Sequence, residues 1–426
     1  MDIFSRFKKD YFNYLISIII PVIINAASIP LFKRLLGAAG YGKFSILFNT
    51  LLLIAATLSG WISQSVIRYY PASIDKLSFA KNSLAVSAIT QAVFFFPVIM
   101  VVWWIQQDIL IAVFFALALF VTSLQFSILS VSQSVFLSKK SIHSEFIRSV
   151  SNLCVALLLI KFTNIKYLYA LLIAVIVSYL FSFIYLQYQT GEKIKLSILS
   201  TNDLKQESRK NLLKKFLLYG APLSLWFIFA YLLSLTDKYF MLHKIGAEVQ
   251  GNYQAIFDFI SKSITLVISP LAISLLPVLT NAYERGKKDE IRKLLNTIFL
   301  IEIAGLAVTI ICYWWFGAEI LFTLVHVPNT INYKLMGLIV IAGTFIWQLA
   351  IVVQKHYELQ YKSKILLVLV IIAFLVQLFL YLTFGAAGNP ILYPLGYAIS
   401  ALVYLVLLSF KRVVHVIHSL FNKMIL

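Results

Sequence analysis

The sequence is poor in charge, and above all in acidic charge. Of 426 residues only 12% are charged, with 17 Asp or Glu against 36 Lys or Arg, while 61% are hydrophobic. Soluble globular domains are roughly half apolar and a quarter charged. A chain of this composition has too little polar surface to stay in water, which excludes a large soluble core and indicates a membrane protein.

Cysteines and recognisable catalytic motifs are also scarce. Cys154 and Cys312 each lie inside an apolar run, without a CxxC spacing or His neighbours at ligand spacing. We therefore expect both to be buried small side chains, and we expect no disulfide, no metal site and no cofactor. No HExxH or GxSxG motif occurs, which disfavours the hydrolases that those motifs mark.

Long hydrophobic runs account for most of the chain, and a spanning helix needs about 20 residues. Candidate spans lie at 14–36, 45–69, 83–104, 109–137, 147–162, 167–188, 216–242, 253–280, 294–316, 333–354, 365–384 and 391–410. The first run is too long for the core of a signal peptide, so we interpret it as an uncleaved span. The sequence therefore predicts an all-α membrane protein of about twelve transmembrane helices.

The basic residues predict the orientation of these spans. An even number of spans puts both termini on one side, and about three quarters of the 36 Lys and Arg residues then fall on that side. We predict that this side is the cytoplasm of a cell with an inner membrane. The excess of Lys and Arg then follows from the orientation of the spans, and we expect no nucleic-acid partner. The longest outer segment, 317–332, holds only Glu319 and His326 as titratable groups. A membrane glycosyltransferase or polysaccharide polymerase needs carboxylates or basic residues on a sizeable outer loop to meet its substrate. We therefore expect that the protein is not an enzyme.

The second half of the chain repeats a turn of the first. Residues 37–44 read GAAGYGKF and residues 246–253 read GAEVQGNY, so both follow the pattern G-A-x-x-x-G-x-aromatic. Each turn leads into a span, and each preceding helix carries a proline, Pro21 or Pro222. Matching turns in two sets of six spans predict an internal repeat.

The repeat defines the predicted domains. A polar linker at 191–215 separates an N-terminal six-helix bundle at 1–190 from a C-terminal six-helix bundle at 216–426. Two pseudosymmetric bundles of this kind usually hold a substrate site near the middle of the membrane. A monomer is the default expectation for such a closed architecture.

Polar side chains inside spans are costly and usually face the protein interior or a wet cavity. One polar face on the eighth span consists of Asp258, Ser261, Lys262, Thr265 and Ser269. The fourth span repeats the spacing with Ser123, Ser127, Ser130 and Ser134. Both faces suit the wall of a hydrophilic cavity. Helix packing through small polar residues is the alternative, and we favour it for the serines alone.

Two segments resemble the polysaccharide-transporter branch of the superfamily that also holds multidrug (MATE) transporters. They are the proline-bearing first helix running into IPLFKRLLGAAGYGKFSI, and GAPLSLWFIFAYLLSLTDKYFMLHKIGAEVQGNYQAIFDF in the second half. The latter includes an acidic-basic pair typical of that branch, here Asp237-Lys238, where Arg is commoner than Lys. The branch includes Wzx-type O-antigen flippases, and the resemblance implies the MATE-like fold of this MOP superfamily.

The resemblance also implies a function. It is export of a polyprenyl-diphosphate-linked oligosaccharide repeat unit, for O-antigen, capsule or exopolysaccharide, across the bacterial inner membrane by alternating access. Membrane lipids and the polysaccharide polymerase machinery are the further partners that it implies. An ion-coupled exporter of drugs or other small molecules, with the same fold, is the alternative.

Candidate site residues follow from the resemblance and the polar pattern together. The side chains that we expect to contact diphosphate or sugars are Lys262, Lys238, Arg34, Arg68, Asn25, Ser261 and Thr265. The candidates for coupling to a proton or sodium ion are Asp258, Asp237 and Glu302.

Each charged candidate has a structural alternative. Asp258 and Lys262 are spaced to neutralise each other as an i,i+4 pair. Asp237 and Lys238 are adjacent, so we expect them to point to different faces, with a folding role as the alternative to a functional one. Arg34 and Arg68 flank spans, where basic side chains mostly reach for headgroups. Glu302 is either an unpaired coupling carboxylate or a solvated one near the cytoplasmic end of its span.

Overall fold

A computed structural model describes residues 3–70, 76–134, 138–194, 206–284, 286–360, 362–385 and 388–410. This part of the chain is helical and contains no strand. The helices are α1 (Ile3–Tyr69), α2 (Lys76–Gln106), α3 (Ile109–Ser134), α4 (Ser138–Phe162), α5 (Tyr167–Ile194), α6 (Gln206–Lys244), α7 (Ala247–Glu284), α8 (Lys288–Cys312), α9 (Ala318–Val325), α10 (Ile331–Leu359), α11 (Ser363–Phe384) and α12 (Leu392–Ser409). A π-helical turn, Tyr313–Gly317, joins α8 to α9.

The longest helix, α1, contains the first two predicted spans. Gly37 interrupts it with φ 70° and ψ 171°, so the chain turns there between two helical segments. Glycine adopts this left-handed conformation without the steric cost that a Cβ brings. The equivalent glycine of the repeat, Gly246, has φ 122° and separates α6 from α7. The matching turns predicted from the sequence are therefore confirmed.

The described helices agree with the predicted spans in length and composition. Nine helical stretches in the described ranges are long and apolar enough to cross a membrane, and the first of them, from Ile19 to Tyr69, extends across the Gly37 break of α1. Two further predicted spans correspond to α4 and α7, which carry charged residues along their length. The chain is thus a multi-pass membrane protein.

Large apolar side chains cover much of the exterior. Trp104 is 77% exposed, Trp315 72% and Phe96 71%, which in a soluble protein would expose apolar surface to water. In a bilayer these side chains face lipid. Cys154 and Cys312 are also exposed, so the expectation that they are buried is wrong. An apolar run alone does not distinguish a lipid-facing position from a core position.

The chain packs into two compact units. The first consists of Met1–Ile46 with Phe229–Leu426, and the second of Leu47–Ile228. These units group helices by packing, whereas the predicted domains group them by order along the chain, and the predicted domains stay a prediction. Of the predicted linker, residues 195–205 lie outside the described residues, while its two ends continue α5 and begin α6.

The second unit is built on α3, which packs against α2 and α5, while α4 packs against α5. An apolar core joins Leu51 of α1, Phe115 of α3 and Val175 of α5, each fully buried. The serine face of α3 lies inside this unit, and the Ser127 hydroxyl lies 2.6 Å from that of Ser87 in α2. This buried contact between helices supports the packing interpretation of the serines.

In the first unit the two repeated turns touch each other. A Cβ built on Gly251 would overlap the carbonyl oxygen of Ala38, and one built on Gly42 would lie 2.9 Å from the Cα of Gly251. The second glycine of the G-A-x-x-x-G pattern, Gly42 in α1 and Gly251 in α7, therefore allows the two helices to approach closely. This contact brings the polar side chains that follow the two turns together.

Candidate functional site

The polar face of α7 meets α1 at Asp258, which is half-buried. Its carboxylate accepts hydrogen bonds from the hydroxyls of Tyr41 at 2.7 Å and Ser45 at 3.1 Å, both on α1. Its other oxygen accepts one from the side-chain amide of Gln254 at 2.9 Å, one turn earlier on α7. The Asp258 carboxylate therefore links α7 to α1 through two hydroxyl donors. Asp258 was predicted from the sequence, but its partners were not.

Lys262 lies one turn beyond Asp258 and is also half-buried. Its ammonium nitrogen lies 3.5 Å from the backbone carbonyl oxygen of Asn25, so the structure brings two of the predicted binding residues together. Ser261 donates its hydroxyl to the carbonyl of Phe257, and Thr265 is half-buried on the same helix. By helix rise, Lys262 lies roughly 22 Å from the start of α7, which is well inside a bilayer.

An open cavity of about 760 Å³ lies between the first segment of α1 and α9. Its lining residues are Ala27, Pro30, Leu31, Arg34, Glu319, Ile320, Thr323, Leu324 and His326. Five of these are apolar, while Arg34 on α1 and Glu319 on α9 bring one basic and one acidic side chain to the lining. The cavity is therefore amphipathic, and it contains a predicted binding residue, Arg34.

A buried lysine holds the wall of this cavity in place. Lys33 is 3% exposed and donates a hydrogen bond of 2.9 Å to the carbonyl oxygen of His326. His326 ends α9 in a left-handed conformation with φ 52°. A cation at a helix C-terminus is favourable because the last carbonyls have no helical partner. This contact fixes α9 against α1, next to Arg34.

Asp237 and Lys238 form a pair with each other inside the first unit. Their side chains are 0% and 1% exposed, and the ammonium lies 3.1 Å from Asp237 Oδ1. Tyr253 donates its hydroxyl to the other carboxylate oxygen, and Lys238 also donates to the carbonyl of Ser234. The expectation that the two side chains point to different faces is wrong, because the lysine folds back along α6. Both groups are satisfied within the protein.

Glu302 lies on α8 and is 2% exposed. The alternative of a solvated carboxylate at the cytoplasmic end of the span is therefore wrong. Arg68, by contrast, is an exposed residue of the second unit, and its guanidinium lies 5.8 Å from the centre of the Tyr69 ring. The binding role predicted for Arg68 stays a prediction.

The sequence matches no protein-family model and no curated protein. Solved structures match over nearly the whole length of the chain, and three examples show this. A MOP superfamily transporter from Pyrococcus furiosus gives a TM-score of 0.70 at 14% identity, over 96% of this chain and 94% of that one. A mutant of the Vibrio cholerae MATE transporter VcmN gives 0.68 at 14% identity, over 96% and 98%. A multidrug resistance MATE family transporter in an outward-facing conformation gives 0.66 at 15% identity, over 96% and 94%.

These matches cover almost all of both chains at identities of 13–15% among the similar structures. Likeness at this level shows the fold and not the substrate. The prediction of an all-α membrane protein with a MATE-like architecture is confirmed. The chain has the fold of the MATE transporters of the MOP superfamily.

Proposed function

We propose that the protein moves a polyprenyl-diphosphate-linked oligosaccharide across the inner membrane by alternating access. The observation that carries the proposal is the amphipathic cavity, in which the Arg34 guanidinium lies beside an apolar wall. A lipid diphosphate has the same two parts, an anionic headgroup and a hydrocarbon chain. The outward-facing conformation described for a transporter of this fold supports an alternating-access cycle here.

Arg34 is suited to the diphosphate. Guanidinium groups bind phosphate oxygens in a bidentate manner, with geometry that an ammonium does not offer. Arg34 is exposed, so its charge is available to a ligand in the cavity. The apolar residues Leu31 and Ile320 line the same cavity and suit the first isoprene units of the carrier.

Lys262 provides a second cationic position deeper along α1. It lies at Asn25, which precedes Arg34 by nine residues, or roughly 13 Å of helix. Around it, Ser261 and Thr265 offer hydroxyls on the same face of α7. A charged position together with neutral polar side chains suits the diphosphate and sugar hydroxyls of a ligand that passes this depth.

The fold itself is compatible with more than one polarity of binding pocket. The Pyrococcus furiosus transporter is described as having a pocket of reverse polarity, which suggests a different function for that protein. A binding pocket with a basic residue, such as Arg34 in the cavity of this chain, is therefore compatible with the same fold.

A second candidate is an ion-coupled exporter of small cationic molecules. Asp258 favours it, because a half-buried carboxylate beside the Tyr41 ring is a site to which a cation would bind. Asp258 already has three donors in the structure, whereas Arg34 faces the cavity. We therefore place the anionic lipid first.

The test is transport in liposomes that contain the purified protein. The probe is a polyprenyl-diphosphate oligosaccharide, and its arrival in the opposite leaflet is followed by lectin binding. We expect Arg34→Gln and Lys262→Gln each to slow transport about tenfold or more, because each removes charge-assisted hydrogen bonds. The matched control is Arg292→Gln, which removes an exposed cation of α8 outside the site.

The outcomes separate the two candidates. Loss of transport in Arg34→Gln and Lys262→Gln, with Arg292→Gln unaffected, supports the lipid substrate. If both site variants transport at the wild-type rate, the diphosphate does not bind at these residues. Liposomes that export a cationic dye and leave the lipid probe unmoved favour the small-molecule exporter.

A further inference from the structure

Glu302 is a carboxylate enclosed by the first unit. It is 2% exposed, while its neighbours in sequence, Ile301 and Ile303, are 53% and 42% exposed. The carboxylate therefore points into the protein from a helix whose other face meets lipid. Neither of its two oxygens has a hydrogen-bond partner among the residues that the structure describes.

The turns of α8 on either side of Glu302 make apolar contacts. One turn earlier on α8, Ile298 belongs to a buried cluster with Leu275 of α7 and Val352 of α10. One turn later, Gly305 lies against the ring of Phe345, 3.4 Å from the position of a built Cβ. Glu302 thus occupies a layer between two apolar contacts of α8.

Several titratable side chains lie on the elements packed on α8. The titratable side chains that α7, α10 and the π-helical turn bring to the unit include Asp258, Lys262, Tyr313, Lys334, Lys355 and Glu358.

Most of these groups have a contact of their own. Lys355 forms an ion pair of 2.8 Å with Glu358, and the Tyr313 hydroxyl donates to the carbonyl of Lys334. Asp258 accepts its three hydrogen bonds on the α1 side of α7, and Lys262 reaches the Asn25 carbonyl of α1. No ion pair of Glu302 occurs in the described ranges.

The position of Glu302 favours a proton over a metal ion as the ligand of its carboxyl group. An ionised carboxylate enclosed in apolar surroundings without a partner is far less favourable than the neutral acid. A divalent metal ion needs several ligands, and no group of three or more acidic, His or Cys side chains that could hold one occurs in the described part of the chain. A single carboxyl group can, however, hold a proton.

We propose that Glu302 is a proton-carrying site that couples transport to the proton gradient. The inference rests on the proposed transport function and identifies its coupling group among Asp258, Asp237 and Glu302. In the conformation described here Glu302 is the neutral acid. When α8 moves against α7 and α10 and water reaches the carboxyl group, its O–H bond breaks, the proton leaves to water, and the carboxylate remains until a proton returns from the other side.

Asp258 and Asp237 are less suited to this role. Asp258 accepts three hydrogen bonds, and Asp237 contacts Lys238 and Tyr253, so each carboxyl group already has polar partners within the protein. Glu302 has none to lose among the described residues, and proton binding removes the cost of its burial.

The test uses the full chain in liposomes and two readouts. Infrared difference spectra follow the carbonyl band of protonated carboxyl groups as pH is raised, and transport of the polyprenyl-diphosphate probe is measured with and without an imposed pH gradient. The variants are Glu302→Gln and Glu302→Met. The second is included because an apolar methionine suits this position if the protein with a buried glutamine amide fails to fold. The control is Glu290→Gln, which neutralises a carboxylate at the start of the same helix whose side chain is 41% exposed.

We expect both Glu302 variants to lose one titrating carboxyl group and the stimulation of transport by the pH gradient, while Glu290→Gln keeps both. A Glu302 variant with the wild-type carbonyl band, or with wild-type stimulation by the gradient, overturns the proposal. If the wild-type protein moves no lipid probe, the proposed substrate fails. The infrared titration then still decides whether Glu302 holds a proton.

Discussion

Replacing one member of the Asp237–Lys238 pair tests whether these two side chains serve folding or transport. Both are enclosed in the first unit, at 0% and 1% exposure, and the pair is completed by the Tyr253 hydroxyl. Lys238→Met leaves the Asp237 carboxylate buried without its counter-charge. Asp237→Leu leaves the Lys238 ammonium with the Ser234 carbonyl and the face of the Phe257 ring, whose centre is 3.4 Å away.

The magnitude follows from this burial. Removing one partner of a buried ion pair typically costs about 3–5 kcal/mol, because the remaining charge is left uncompensated. Replacing both partners with apolar residues of similar volume is often neutral, since the cost of removing both charges from water disappears. We therefore expect Asp237→Leu and Lys238→Met each to destabilise the protein strongly, and the double variant to be close to the wild type.

The assay is the free energy of unfolding of the purified protein in mixed micelles, measured for all four members of the cycle. A Tyr253→Phe variant should lower the free energy of unfolding by less, about 1–3 kcal/mol. It removes only the hydroxyl donor to one Asp237 carboxylate oxygen and leaves Lys238 in place. Single variants as stable as the wild type would refute the reasoning. A stable double variant that has lost transport would show that the pair also acts in the transport cycle.

Two further predictions concern the repeated turn and the short connection between α2 and α3. Gly251→Ala should destabilise the protein by about 1–3 kcal/mol or more, because its Cβ would overlap the Ala38 carbonyl, and a thermal melt that matches the wild type would contradict this. At the start of α3, the hydrogen bond from the Tyr169 hydroxyl holds the pKa of Asp108 below its usual range. The Asp108 carboxylate therefore stabilises the fold at pH values above the pKa that Asp108 has in the unfolded chain. This stabilisation is lost as pH falls through the pKa of Asp108 in the folded protein. Asp108→Ala should accordingly lower the melting temperature at neutral pH, and lower it less in acid.

The architecture was predictable because it depends on local patterns. The apolar run at 109–137 corresponds to α3, Ile109–Ser134, and the run at 167–188 lies within α5, Tyr167–Ile194. The glycines of the repeat predicted the turns, since Gly37 and Gly246 adopt conformations that favour glycine. Span length and turn chemistry need no knowledge of which helix packs against which.

The candidate site was predictable only in part, because its geometry depends on contacts far apart in sequence. Asp258 and Lys262 were found from their spacing on α7, but Tyr41 and Ser45 reach Asp258 from α1, and no local pattern shows this. The close approach of Gly42 to Gly251, by contrast, involves two glycines that the repeat pattern had already marked. The burial of Glu302 was not predictable, since its apolar neighbours face lipid and core alike.

The most direct test of the central claim is the lipid content of a host strain that lacks this gene. Polyprenyl-diphosphate oligosaccharides and the surface polysaccharide are measured together, with the intact gene restored as control. The account predicts that complete repeat units accumulate on the carrier while surface polymer is lost, and that the restored gene reverses both. Normal surface polymer without any carrier-linked intermediate would contradict the account.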